Sequence, residues 1–174
     1  MKVRELARHE IELIWTIDRS EVHHNIYKLR DNRLALTPAY FEARGWAPGQ
    51  IEHDTPLMYA CFDRGGTFVG MFHDQQLVGV AVVDTIPLGA NGDQLQLKYL
   101  YVSRDYRQHG VGTRLFQEAS AVARARGARL LYISATPTEN TVNFYQRRGA
   151  VVNPTPDPEL YAQEPEDIHL LCPV

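Results

Sequence analysis

Leu97-Lys98-Tyr99-Leu100-Tyr101-Val102, then Ser103-Arg104-Asp105-Tyr106-Arg107-Gln108-His109-Gly110-Val111-Gly112, reads as an apolar strand, a polar turn and two glycines that open an amphipathic helix. The first N–H groups of a helix lack intrahelical acceptors and carry partial positive charge, so such a turn is an anion site. Gly110 and Gly112 remove the side chains that would hold a phosphate away from those amides. Upstream, Gln94, Gln96 and Lys98 alternate with Leu95 and Leu97, whereas Tyr99 to Val102 is apolar or aromatic throughout. A break in alternation predicts a bulge, which leaves backbone groups unpaired.

The surrounding elements fit a strand–turn–helix unit within an α/β domain. Val78, Val80, Val82 and Val83 make Leu77 to Thr85 a buried strand, joined across Asp74-Gln75-Gln76 to a strand from Thr67 to His73. Leu115, Ala119, Val122 and Ala123 mark a helix from Gly112 to about Arg126, stopped by Gly127. A strand from Arg129 to Ala135, a helix from Thr138 to Arg148 and two strands near 150–152 and 167–171 follow. Before the unit, Ile11, Ile14, Trp15 and Ile17 predict a helix over 10–18. Val22 to Leu36 reads best as a hairpin turning at Asp31-Asn32, with a short helix as the alternative. Thr37 to Gly66 is loop-rich, with one short helix expected from Pro56 and capped by Thr55.

Composition narrows the class. With 174 residues, 44% of them hydrophobic, the chain is expected to form a single domain over 1–174. A net charge of −3 makes nucleic acid an unfavoured partner. No apolar run approaches the ~18 residues of a membrane span, and Met1 to Glu5 reads as a strand rather than a signal core. Cys61 and Cys172 are expected as buried free thiols in a cytoplasmic protein, with no metal site. A nucleoside-triphosphate loop is excluded because there is no Gly-x-x-x-x-Gly-Lys-Ser/Thr. The dinucleotide pattern fails because Leu115 stands where a third small residue belongs.

Leu100-Tyr101-Val102, Arg107-Gln108-His109-Gly110-Val111-Gly112 and Phe144-Tyr145-Gln146-Arg147-Arg148-Gly149-Ala150 together resemble the GCN5-related N-acetyltransferases. The resemblance implies a mixed, mostly antiparallel sheet flanked by helices, with a splayed central strand pair. It implies that Arg107 to Thr113 cradle the pyrophosphate of acetyl-CoA (Arg107, Gln108, His109, Gly110, Val111, Gly112 and Thr113), and that Leu100, Tyr101 and Val102 pair with its pantetheine arm. Tyr145 is implied as the group near the thioester sulfur, although a tyrosine on this apolar helix face also suits the core. Thr138 stands where many members carry an Asn, with Asn140 two residues on.

Acetyl transfer to an amine also needs cations for the phosphates, and Arg104, Arg107 and Arg114 are at hand. It needs an oxyanion donor, for which a free N–H near Leu100 is the candidate, and a taker for the amine proton. Many members place a Glu before the glycine turn; Gln94, Gln96 and Lys98 stand there instead, so Glu21, His23, His24, Asp54 and Asp84 are candidates without an assignment. Trp46, Tyr40, Phe41 and Tyr59 are candidates to wall the acceptor pocket. Asp157, Glu159, Glu164, Glu166 and Asp167 form an acidic loop that favours a cationic acceptor or simply solvates the chain. The expected partner is a small-molecule or peptide amine, and a homodimer is compatible with this reading. The alternatives are a non-catalytic acyl-CoA sensor and an acetyltransferase acting on RNA.

Overall fold

The computed structural model describes residues 1–174. Strands β1 (Lys2–Glu5), β4 (Thr67–His73), β5 (Gln76–Leu88), β6 (Gln94–Val102), β7 (Leu130–Ala135), β9 (Ile168–Pro173) and β8 (Val151–Val152) form one sheet in that spatial order. Every pairing is antiparallel except β6 with β7. Strands β2 (Glu21–Arg30) and β3 (Arg33–Ala43) form a separate hairpin. Its turn residues Asp31 and Asn32 have φ of 49° and 58°, the left-handed pair that a two-residue hairpin turn demands.

Helices α2 (Val111–Ala125) and α3 (Glu139–Gln146) follow β6 and β7 and share a core with Val78, Val83, Leu97, Leu131 and Leu170. The other core holds Ile11, Ile14 and Ile17 with Phe68, Val80, Val82 and helix α1 (Gln50–Asp63). The segment Arg8–Thr16 is a 3-10 helix rather than the expected α-helix. Three residues per turn put Ile11 and Ile14 in line with Ile17, all at most 1% exposed.

Helix α1 begins six residues before Pro56, which lies inside it, instead of starting there with Thr55 as cap. Thr55 donates its hydroxyl to Ile51 O at 2.6 Å, and Leu57 on this helix is exposed. A further helix, α4 (Pro158–Gln163), lies in the proline-rich loop. Asp157 caps it by accepting from the amides of Glu159 and Leu160, and Pro158 stands in its first turn, both legible start signals.

The bulge falls at Lys98. Val82 pairs with Tyr99 while its neighbour Val83 pairs with Leu97, so Lys98 is the extra residue. Inserting one residue inverts the phase of a period-two strand. Leu95 and Leu97 enter the α2 core, as do Leu100 and Val102, while Tyr99 and Tyr101 turn to the opposite face.

Candidate active site

β6 and β7 pair only at Gln94–Leu130, Leu95–Leu131 and Gln96–Tyr132, then diverge. Ser103 donates its amide to Val78 O on β5. By alternation, Leu100 and Val102 direct their backbone groups away from β5, into the gap where β7 has left. The gap thus offers a free strand edge to an extended, peptide-like ligand.

At the end of that edge the turn leads into α2. None of the six amides from Gln108 to Thr113 donates to a protein acceptor; the first to do so is that of Arg114, on Gly110 O at 3.0 Å. Gln108 and Gly110 are left-handed, with φ of 64° and 77°, which curls successive N–H groups into a nest. Unpaired amides aimed at one place suit a phosphate chain, and the adjoining free edge suits its pantetheine arm. The residues present therefore fit coenzyme A.

The cations of this region are largely engaged elsewhere. Arg107 donates to Val102 O at 3.1 Å, to Ser20 O at 3.2 Å and to the Glu21 carboxylate at 3.0 Å, so its guanidinium ties β2 to the end of β6. Arg104 reaches Ser20, and Arg114 pairs with Glu118. Arg148, not singled out from sequence, stacks 3.4 Å above the Phe144 ring and donates to Thr113 Oγ1 at 2.5 Å. A cation at the first turn of α2 is thus delivered from the end of α3. His109 donates its Nδ1–H locally to Arg107 O at 2.7 Å.

Across the gap, Tyr145 lies on α3, 6% exposed and packed against Phe116 and Phe144. Burial pushes its phenol above the ordinary tyrosine range. Its hydroxyl bonds no protein group and is not sealed from solvent. Thr138 is 2% exposed at the N-cap position of α3, its hydroxyl donating to Thr141 Oγ1 at 2.9 Å instead of accepting from a helix amide. Asn140 donates to Glu21 Oε1 at 2.8 Å.

Glu21 therefore bridges Arg107 and Asn140, and β2 runs on to meet Thr138 at Ile26, while Tyr27 donates its amide to Pro137 O at 2.7 Å. The hairpin straps the two arms of the split together. His23 is buried on it against Phe41, and burial lowers its pKa; His24 lies against Tyr40. Asp84, 2% exposed, is gripped by both Nε and Nη2 of Arg64, with Lys98 at 3.8 Å. Asp54 accepts from Gln50 Nε2 at 3.2 Å and faces His53 at 2.8 Å.

On the opposite face, Trp46 packs edge-on between Trp15 at 4.7 Å and Tyr101 at 5.1 Å, donating its indole N–H to Trp15 O and Ile17 O. Arg19 stacks on both Trp46 and Tyr101. Burial above all pushes the phenols of Tyr99 and Tyr101 up, and the negative charges of Asp54 and Glu164 add to it, with Asp167 adding to Tyr101. Of the other aromatics expected in a pocket, Tyr59 turns to Glu12 and Arg8, and Tyr40 and Phe41 are exposed on the hairpin.

The acidic loop is pinned by a buried relay. Tyr132 accepts from the Asp157 amide at 3.2 Å and donates to His169 Nδ1 at 2.7 Å; His169 Nε2–H then donates to Glu164 O at 3.1 Å. Burial lowers the pKa of His169, which favours the neutral ring this relay needs. No group of three or more His, Cys, Asp or Glu is placed to hold a metal ion. No helix is long and apolar enough to cross a membrane. Cys61 and Cys172 are buried free thiols, and burial pushes Cys61 up to about 12.

The model of the acetyltransferase (GNAT) family matches residues 27–150, so the chain belongs to that family of acyltransferases. The fold is that of nourseothricin acetyltransferase, with a TM-score of 0.74 at 20% identity over 99% of this chain and 97% of that one. It is also that of a putative streptothricin acetyltransferase from Bacillus anthracis str. Ames in complex with acetyl coenzyme A, with a TM-score of 0.73 at 16% identity over 99% and 98%. The chain is 23% identical over 141 residues to the aspartate/glutamate leucyltransferase of Shewanella oneidensis, covering 80% of itself and 54% of that protein. It thus spans about half the length of that curated relative.

Proposed function

We propose that residues 1–174 form one acetyltransferase domain that moves the acetyl group of acetyl-CoA directly to a primary amine of a small molecule or peptide. The observation that carries this reading is the row of six unpaired amides, Gln108 to Thr113, at the end of a free strand edge. The amides bind the pyrophosphate with help from Arg148, while Arg107 acts through its backbone and holds β2 in place. Leu100 and Val102 pair with the pantetheine arm, and the Leu100 N–H is the donor for the carbonyl oxygen as it gains charge. Thr138 and Asn140 line the α3 side, and Tyr101 separates the cofactor edge from the acceptor face.

The thioester supplies the acetyl group. Tyr145, protonated at neutral pH as an ordinary tyrosine is and kept so by burial, gives its proton to the departing sulfur. Neither thiol acts as a relay nucleophile, since both are buried and pushed toward the neutral form. The arginines toward the end of α2 do not favour RNA as acceptor. Arg126 is tied to Gly65 O and Thr67 Oγ1, and fifteen helical residues separate this end from the nest by about 22 Å.

Calorimetry with acetyl-CoA and coenzyme A thiol release against lysine, spermidine, lysyl and alanyl peptides and kanamycin test the reading. Binding with turnover on at least one amine is the expected result. Binding without turnover on any of them supports a sensor instead, and no binding overturns the reading.

A further inference from the structure

The carboxylates and imidazoles expected to take the amine proton are occupied or misplaced: Glu21 by Arg107 and Asn140, Asp84 by Arg64 and Lys98, Asp54 by Gln50 and His53, His23 against Phe41 and His24 outside. Asp167 is different. Ile168, the next residue, pairs with Ala135, the last residue of β7, so Asp167 stands just past the end of β7, where the split from β6 is open. Ile168, Leu170 and Cys172 enter the α2 core, so the alternation turns Asp167 toward the face that carries Tyr99 and Tyr101. Its carboxylate is half-buried and makes no side-chain hydrogen bond or ion pair. After burial, its negative charge adds a small upward push to the phenols of both Tyr101 and Tyr145.

We propose that Asp167 is the base that takes the proton from the acceptor's ammonium group. This rests on the acetyl-transfer reading above. The groups around it are Glu164 from the end of α4, Tyr101 from β6 and Tyr145 from α3. The charges of Asp54 from α1 and of Arg19 also act on Tyr101. None of them is a cation paired with Asp167, so burial and the Glu164 charge together hold it at about 7. A base near neutrality is present in its ionised form at physiological pH and still strong enough to accept a proton.

The step balances. The ammonium proton passes to the Asp167 carboxylate, and the amine lone pair forms a bond to the acetyl carbon. The carbon–sulfur bond breaks, its electron pair stays on sulfur, and sulfur takes the Tyr145 proton. Asp167 releases its proton to water; the new carbon–nitrogen bond makes a second nitrogen proton acidic, and that proton passes through Asp167 or water to restore the Tyr145 phenol, so one proton leaves overall. The pinned loop has a use here, because the Tyr132–His169–Glu164 relay fixes the turn from which Asp167 projects.

The test compares wild type with D167N and D167E, using acetyl-CoA and the fastest acceptor of the panel above. The expected wild-type kcat/KM falls below a midpoint of about 7. D167N keeps acetyl-CoA affinity by calorimetry, loses about a hundredfold in kcat/KM above neutral pH and loses the acid limb. D167E recovers part of the rate. Carbon NMR of the free protein places the Asp167 carboxyl titration near the same midpoint. D167N with wild-type rates and an unchanged acid limb overturns the assignment and leaves acetyl transfer standing. Absence of thiol release with every amine overturns the acetyl-transfer reading and this one with it.

Discussion

The Lys98 ammonium lies 3.8 Å from the Asp84 carboxylate, so the extra residue of β6 is held by the residue at which β5 departs from regular pairing. Lys98 is a minor partner at that distance; the two-pronged grip of Arg64 dominates. Asp84→Ala leaves the Arg64 guanidinium and the Lys98 ammonium without their carboxylate. Breaking a buried pair costs about 3–5 kcal/mol. The low end is expected here, because the Arg64 side chain is 33% exposed and regains water. Lys98→Met keeps the stem and loses less than about 1 kcal/mol. Urea unfolding of the two variants separates these outcomes.

Gly110 has φ of 77° and nothing within 4 Å of where a Cβ would stand. Gly110→Ala therefore meets backbone strain but no clash, about 1–2 kcal/mol for a left-handed residue. Relief of that strain uncurls the nest, so acetyl-CoA affinity is expected to fall about tenfold, which 1.4 kcal/mol corresponds to. Calorimetry reads the affinity and thermal unfolding reads the strain.

Tyr145→Phe removes a hydroxyl that bonds no protein group, so stability is expected to stay within about 0.5 kcal/mol of wild type. If the hydroxyl supplies the proton to sulfur, kcat falls about a hundredfold with acetyl-CoA affinity unchanged. Since burial raises the phenol above its ordinary value, its ionisation causes no loss of rate up to about pH 10. A pH profile of kcat for both proteins checks the two statements together.

The split sheet was legible because its cause is local. The broken alternation after Lys98, the glycines and the Asp31-Asn32 turn all act within a few residues, and each appears in the structure where the residues put it. The 3-10 form of Arg8–Thr16 was hidden, since Ile11, Ile14 and Ile17 satisfy a helical stripe of either pitch. Helix α1 was shortened by reading Pro56 as a start, a rule that the interior of this helix does not obey. The partners of charges were not legible at all. Arg107 looked like a phosphate ligand until β2 brought Ser20 and Glu21 to it across 87 and 86 residues of chain. Asp167 looked like one more charge on an acidic loop until β9 placed it beyond β7.

Asp167 also makes an unusual prediction for stability. Its ordinary value is 3.8 and burial holds it at about 7 in the folded protein. Between those values the folded state keeps a proton that the unfolded state has lost, so stability falls as pH rises and levels off above about 7. This is the reverse of a salt-bridged carboxylate such as Glu10, whose pairing with Arg4 holds it down at about 2 and stabilises the fold above the acid range. His169 works in the opposite sense over part of the same window: its neutral form is favoured by folding, so stability is gained as pH rises through the ordinary histidine value. His23, lowered by burial as well, acts in the same sense as His169, so the wild-type curve mixes these groups, and the difference between Asp167→Asn and wild type isolates the carboxyl. That difference is expected to be near zero at about pH 4 and to reach about 1–2 kcal/mol in favour of the variant at about pH 8. The full shift would convert to roughly twice that, and the partial exposure of Asp167 screens it. Calorimetric unfolding at the two pH values measures it. A difference that is the same at both would mean that the carboxyl is already ionised in acid, and no acid limb in kcat/KM could then come from it.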